Sequence, residues 1–282
     1  MSACMTNIAV LPRLLLGLLA VVAVTLLIYA GWIEPASLRV SQYTVPQASP
    51  LLKGLRIAVI SDLHAGAPYI DIAKIDRVVA MTNDAKPDLI LLTGDYVITG
   101  MPGGHHMPIR TIVAHLSTLR APLGVYAVLG NHDRGESPEH IGNAFWRVGI
   151  PDLENAFAIL PAPRANVTLV GIGDQSSGGA RPKRALAQVQ GTALCFTHSP
   201  DVFPRLPSNC ALTIAGHTHG GQVWLPLLGR PALFEASRFG EKYAAGIIRE
   251  DGKTLFVSSG IGTSWLPLRF RVPPEISLLT VN

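Results

Sequence analysis

The sequence predicts an α/β (α+β) fold, with two packed mixed sheets and helices on the outside, preceded by one membrane-crossing helix. Three observations carry that expectation. Five apolar runs each end in a polar tip: RIAVIS leads into Asp62, LILLT into Asp95, VYAVL into Asn131, ALCF into His198 and CALTIA into His217. Strands buried on both faces of a mostly parallel sheet read as continuous apolar runs of this kind. Strand and helix patterns alternate early and strand-rich hairpins follow late, an order that suits two sheets packed together with outer helices. Finally, no charged side chain occurs between Leu14 and Trp32.

Residues 1–13 form a short N-terminal segment containing Arg13, and residues 14–32 a transmembrane anchor close to the roughly 20 residues that span a bilayer. Tyr29 and Trp32 fall where an interfacial aromatic belt sits. A cleaved signal peptide is the competing reading. The apolar run exceeds the usual h-region of about 7–15 residues, and Ile28 stands where a cut after Ala30 prefers a small residue. Arg13 before the run, with Glu34 and Arg39 after it, favours a cytoplasmic N-terminus and an external catalytic domain. Residues 33–52, with three prolines, read as a juxtamembrane linker holding one edge strand, and the domain proper spans residues 53–282.

Within that domain, Ile72, Ile75, Val78, Val79 and Thr82 predict a helix over Tyr69 to Asn83. Pro108 to Leu119 is a second helix, and Ser137 to Val148 a third, with Ser137 as N-cap and Pro138 at the first helical position. Strands follow at 157–160, 167–173, 193–198 and 210–216, then a hairpin turning on Asp251-Gly252, and a final ISLLTV strand.

The polar tips carry the chemistry. Ligands of such sheets gather at the carboxyl ends of the strands, so carboxylates, imidazoles and an amide are aimed at one rim. In Asp62-Leu63-His64 and His217-Thr218-His219 the paired residues are two apart, and in extended backbone both members of each pair can reach one ion. Mixed N/O donors without cysteine suit Zn, Mn or Fe. Asp95, after Gly94, can bridge two ions, and the glycine lets backbone approach closely. Asn131 offers a neutral amide oxygen. His132 is free for proton transfer, and Asp133 beside it can orient or charge that imidazole.

The series D-x-H, G-D, G-N-H-D, T-H and G-H-T-H resembles the calcineurin-like metallophosphoesterase superfamily. The apolar N-terminus and the ending SSGIGTSWLPLRFRVPPEISLLTV resemble its small membrane-anchored bacterial branch. That resemblance implies a four-layer α/β/β/α sandwich with a dinuclear metal site. It implies that Asp62, His64 and His219 hold one divalent ion, that Asn131, His198 and His217 hold the other, and that Asp95 bridges them. His132 would be the general acid or the donor that steadies the phosphate, supported by Asp133. The implied activity is hydrolysis of a phosphomonoester or phosphodiester, on lipid or cell-envelope substrates, at a bacterial inner membrane.

Other features exclude or leave open. There is no G-x-S-x-G, Walker-type loop or G-x-G-x-x-G, so no Ser nucleophile or nucleotide cradle competes with metal chemistry. A net charge of +4 and a pI near 9.1, without a basic run interleaved with aromatics, give no expectation of nucleic-acid binding. Cys4, Cys195 and Cys210 form no evident disulfide framework, and the last two read as small core residues. His105 and His106 could reach a substrate, and residues 173–179 could cradle a phosphate oxygen; an exposed loop and a plain glycine-rich turn explain them equally. Arg269 and Arg271 in WLPLRFR could grip a lipid phosphate, or belong to an edge segment with solvated arginines. Two rival functions remain at this level: a nucleotide-sugar-lipid pyrophosphohydrolase on the cytoplasmic face, and a metal-bound scaffold without turnover.

Overall fold

The computed structural model describes residues 10–46, 49–231 and 236–282; Cys4 and residues 1–9 of the predicted N-terminal segment lie outside the described residues. Helix α1 (Val10–Ile28) runs into a π-turn at Tyr29–Ile33 and a final turn, α2 (Glu34–Ala36). The run Pro12–Ala36 is long and apolar enough to cross a membrane, with a mean hydropathy of 2.6 over its most apolar window and none of that window buried.

Among the described residues, eleven strands form two mixed sheets. The first has the order β1 (Arg39–Val45), β11 (Glu275–Val281), β2 (Arg56–Ile60), β3 (Leu89–Leu92), β4 (Val125–Ala127), with β2, β3 and β4 parallel. The second has the order β5 (Ala156–Ile159), β6 (Thr168–Ile172), β7 (Ala193–Thr197), β8 (Cys210–Ala215), β10 (Lys253–Val257), β9 (Gly246–Glu250). Here β6, β7, β8 and β10 are parallel, and the outer strands β5 and β9 run antiparallel to them. The β9–β10 hairpin turns on Asp251 (φ 51°) and Gly252 (φ 72°), as Asp-Gly in a primed turn requires.

The period-two alternation of the strands builds the layers. Ile57, Val59, Leu89 and Leu91 meet Leu169, Leu194, Phe196, Leu212, Ile214 and Phe256 between the sheets. Their neighbours Ala58, Ile60, Ile90 and Leu92 face outward onto α3 (Ile72–Asp84), α4 (Ile109–Leu116) and α6 (Pro138–Arg147). Each of those helices buries one stripe, Ile75, Val78, Val79 and Thr82 in α3 for example, and α6 starts as predicted on Ser137 and Pro138. The second sheet is covered by short turns instead, including α7 (Pro182–Ala185) and the 3₁₀ segments Pro200–Arg205 and Gly240–Tyr243. The result is the expected α/β/β/α sandwich with one thin outer layer.

One local expectation needs correction. Cys195 and Cys210 are buried core residues, but they are joined in a disulfide, Cα–Cα 5.6 Å. Fifteen residues apart in sequence, they become diagonal neighbours because β7 and β8 pair in parallel: Cys210 stands opposite Ala193, two residues from Cys195, beside an irregularity in the register. In the predicted linker, β1 pairs along its full length with β11, and the carboxylate of Glu34 accepts the backbone N–H groups of Arg271 and Val272 (2.8 and 2.5 Å). Sheet pairing therefore begins upstream of Lys53.

Candidate metal centre

Each parallel strand delivers its polar tip to the same edge of the sandwich. Asp62 and His64 follow β2, Asp95 follows β3, and Asn131 opens α5 (Asn131–Glu136) just after β4. His198 follows β7, and His217 and His219 follow β8. The first sheet thus supplies the carboxylates and the amide, the second most of the imidazoles. The two halves are tied directly: the backbone N–H of His217 donates to both Asp62 oxygens, 3.1 Å each. Ser61 Oγ donates to the same carboxylate.

All seven predicted ligands and His132 come together here. The ligand atoms of Asp62, His64 and His219 form one group, those of Asp95, His198 and His217 a second, and those of His64, Asp95 and His132 a third, each within 4.8 Å. Asp95 Oδ2 lies 3.2 Å from His198 Nε2 and 3.6 Å from His64 Nε2, so one carboxylate stands between the groups. Asn131 Oδ1 is 3.2 Å from His198 Nε2. His198 Nδ1 donates to the Thr93 carbonyl (2.8 Å), which fixes the tautomer and turns the Nε2 lone pair inward. Such a donor set, imidazole lone pairs converging with carboxylates and an amide oxygen, fits divalent transition metals.

The route by which the pairs reach the site differs from the expectation. Asp62 (φ 53°), His64 (47°), Asp95 (59°), His217 (73°) and His219 (51°) all sit in left-handed rather than extended backbone. The curl sends His217 and His219 into different groups instead of onto one ion. Left-handed backbone costs an L-residue roughly 1–2 kcal/mol, and such strain concentrates at functional sites. Close backbone approach supports it. Gly94 has φ 99°, and a Cβ on Gly130 would stand 2.1 Å from Asp95 Oδ1.

Electrostatics keep most of the imidazoles available as lone-pair donors. Burial, against the pull of Asp95 and with neighbouring imidazoles, lowers His64 to about 3. Burial likewise pushes His217 and His219 down, aided by His198 and Arg269 respectively. His198 is the exception: burial opposes its charge, but Asp95 raises it above the ordinary range. Asp95 is held low despite burial, chiefly by His198. Metal binding would release the proton those two share.

Asp133 does not meet the imidazole of His132 as expected. Adjacent residues of a helix point in different directions, and Asp133 is wholly buried on the other side of α5. Its Oδ2 accepts Asp95 N (2.7 Å) and Gly130 N (2.9 Å), and its Oδ1 accepts Tyr96 N (2.9 Å) and Val97 N (3.3 Å). Asp133 therefore clamps the Asp95 loop to the Asn131 loop. His132 stays half-buried at the cleft, its ring edge-on to His64 at 4.8 Å.

Arg269, expected at a lipid surface or in solvent, points inward and is fully buried. Its guanidinium donates to the carbonyls of Ser259, Gly262 and Val272, and Gly262 N in turn donates to Asp62 O (2.7 Å). Arg271 is exposed, over the Trp224 ring at 4.3 Å. The sequence offered no sign of this brace, because a buried arginine serving carbonyls looks like any other arginine. Asp174 in the glycine-rich turn is spent on the turn itself, accepting Ser176 and Ser177. His105 and His106 lie in the exposed loop at 105–106, and neither belongs to the three groups.

Residues 55–221 match the calcineurin-like phosphoesterase family pattern. The chain is 31% identical to the phosphodiesterase YaeI of Escherichia coli, over 88% of both chains. It is 28% identical to YkuE of Bacillus subtilis, an uncharacterized metallophosphoesterase, over 90% of this chain and 89% of that one. It is 27% identical to the UDP-2,3-diacylglucosamine pyrophosphatase LpxG of Chlamydia trachomatis, over 89% and 92%. With the matched stretch running from β2 through the last of the His and Asp tips, the chain belongs to the calcineurin-like phosphoesterase family and is a metal-dependent hydrolase.

Proposed function

We propose that the chain is a membrane-anchored phosphoesterase that hydrolyses a phosphodiester or phosphomonoester with two divalent ions. The observation that carries this reading is the position of Asp95 Oδ2 between His198 Nε2 and His64 Nε2. Asp62, His64 and His219 would hold one ion and Asn131, His198 and His217 the other, with Asp95 shared. When bound, the ions lower the pKa of water and neutralise charge on the phosphoryl oxygens. In the reaction a water oxygen bonds to phosphorus as the bond to the leaving oxygen breaks. His132, at the cleft and outside both groups of three, would pass a proton to that oxygen. Asp133 and Gly130 keep Asp95 in place throughout.

The apolar run and the buried disulfide support a single-pass anchor with the domain outside the cytoplasm, since cytosolic thiols are kept reduced. A pyrophosphohydrolase of a lipid pathway on the cytoplasmic face is the second reading, favoured by the likeness to LpxG. A reporter fused after Asn282 separates the two. The test of the phosphoesterase itself is hydrolysis of bis(p-nitrophenyl) phosphate with added Mn²⁺, beside metal analysis of the same preparation. Asp95→Ala should abolish turnover and halve the metal content, and His132→Ala should slow turnover while the metals remain. Wild-type activity equal to that of both variants would leave a metal-bound scaffold as the better description.

A further inference from the structure

The cleft over the metal centre has a volume of about 530 Å³, and its outer wall is apolar. Trp265, Leu266 and Leu268 line it opposite Asp95, His132 and His219. That wall is fastened to the end of the apolar helix. Arg269 N donates to Ala30 O (2.9 Å), Tyr69 Oη donates to Gly31 O (2.7 Å), and a Cβ on Gly31 would stand 3.4 Å from Leu268 Cδ2. Phe270 meets Tyr29 edge-on at 6.1 Å. Among the described residues the lip is bare beyond these contacts: Trp265 is 69% exposed, Leu266 55%, and Leu227 and Leu228 at the tip of the adjoining loop 105% and 75%. Trp32 and Ile33 on the π-turn are equally uncovered. Apolar groups exposed in this number mark a surface that something covers.

We propose that this lip is seated in the bilayer interface beside the anchor, so that the site takes an amphiphilic phosphate ester directly from the leaflet. The proposal rests on the membrane-anchored phosphoesterase reading and adds the substrate class and its way in. The bilayer is the occupant because the lip is continuous, through Leu268–Gly31 and Phe270–Tyr29, with the helix that would span it. Exposed Trp and Leu at that level match the side chains that anchor at the membrane–water boundary. The phosphate reaches the His and Asp tips while the apolar part of the ester stays beside Trp265 and Leu266.

The test uses the full chain in phosphatidylethanolamine–phosphatidylglycerol vesicles. Tryptophan quenching by bilayer-held bromolipids should fall in Trp265→Phe, as in Trp32→Phe, and stay unchanged in Trp146→Phe on α6. Hydrolysis is then compared for a soluble aryl phosphodiester and for a chromogenic phosphodiester carrying acyl chains in the vesicle. The double variant Leu227→Ser/Leu228→Ser should lose about tenfold or more on the vesicle-held ester, as removal of two partly buried leucine side chains from an interface implies, and nothing on the soluble one. Unchanged quenching in Trp265→Phe overturns the seat, and equal loss on both esters overturns entry from the leaflet. Absence of hydrolysis of either ester, and of an aryl phosphomonoester, by wild type overturns the phosphoesterase reading instead, and reduced quenching in Trp265→Phe would still support the seat.

Discussion

Asp133→Asn separates two roles for the buried carboxylate, and the hydrogen bonds set the size of the effect. Asp133 accepts four backbone N–H groups, two on each oxygen, from Gly130, Asp95, Tyr96 and Val97. An asparagine of the same shape keeps one acceptor oxygen and turns an NH₂ toward the other pair of donors. Two buried N–H groups then lose their partner, at roughly 1–3 kcal/mol each. The variant should therefore be destabilised by about 3 kcal/mol, and its thermal midpoint in detergent should fall by about 6–12 °C. Because the clamp holds the Asp95 loop, metal content should fall together with stability. If Asp133 instead charged the His132 imidazole, Asp133→Asn would shift the pH–rate profile while thermal midpoint and metal content stayed near wild type. That outcome would refute the clamp.

Other variants report on other joints. Glu34→Ala strands the N–H groups of Arg271 and Val272 and should cost about 2–4 kcal/mol, read as a lower thermal midpoint and faster proteolysis of the 264–272 segment. Arg269→Lys replaces a rigid planar fork reaching the carbonyls of Ser259, Gly262 and Val272 with a compact ammonium whose donors no longer match those separated positions, and should destabilise by about 2–4 kcal/mol; unfolding in detergent measures it. Asp152, raised to about 6 by burial despite Arg134, contributes stability that is present below pH 4 and lost above 6, because the folded form keeps its proton longer than the unfolded one. Asp152→Asn should flatten that window and raise stability at pH 7 by about 2 kcal/mol, seen by comparing thermal midpoints across pH.

Much of this molecule is legible in its sequence because apolar runs have no other use. The five runs before Asp62, Asp95, Asn131, His198 and His217 become β2, β3, β4, β7 and β8, and the helix patterns hold to within a few residues. What stayed hidden is what backbone curvature and burial decide. Nothing in D-x-H or H-x-H distinguishes extended backbone from the left-handed curl that sends His217 and His219 to separate groups. Nor does sequence tell which charged side chains turn inward. Glu34 looked like a charge beyond the membrane and Arg269 like a lipid contact or a solvated edge residue, yet both are capped by backbone groups inside the fold. Cys195 and Cys210 needed the register of two strands to become partners.

The hidden contacts also explain how a strained rim survives. Five left-handed tips at roughly 1–2 kcal/mol each would favour relaxation if each loop stood alone. They do not stand alone, because the tips at Asp62, His64, Asp95 and His217 are each held by a group from another segment. Asp62 is held by His217 N and its carbonyl by Gly262 N, while Asp95 N is held by Asp133 and His64 N by the Asp95 carbonyl. The same bonds reach the apolar helix in three steps: Ala30 O to Arg269 N, the Arg269 guanidinium to Gly262 O, and Gly262 N to Asp62 O. Relaxing a tip would open those joints as well, so the strain is retained by the tertiary fold. A ligand set with its lone pairs already converged gains affinity from that preorganisation, and the distance from the last turn of the apolar helix to the candidate metal site is fixed along with it.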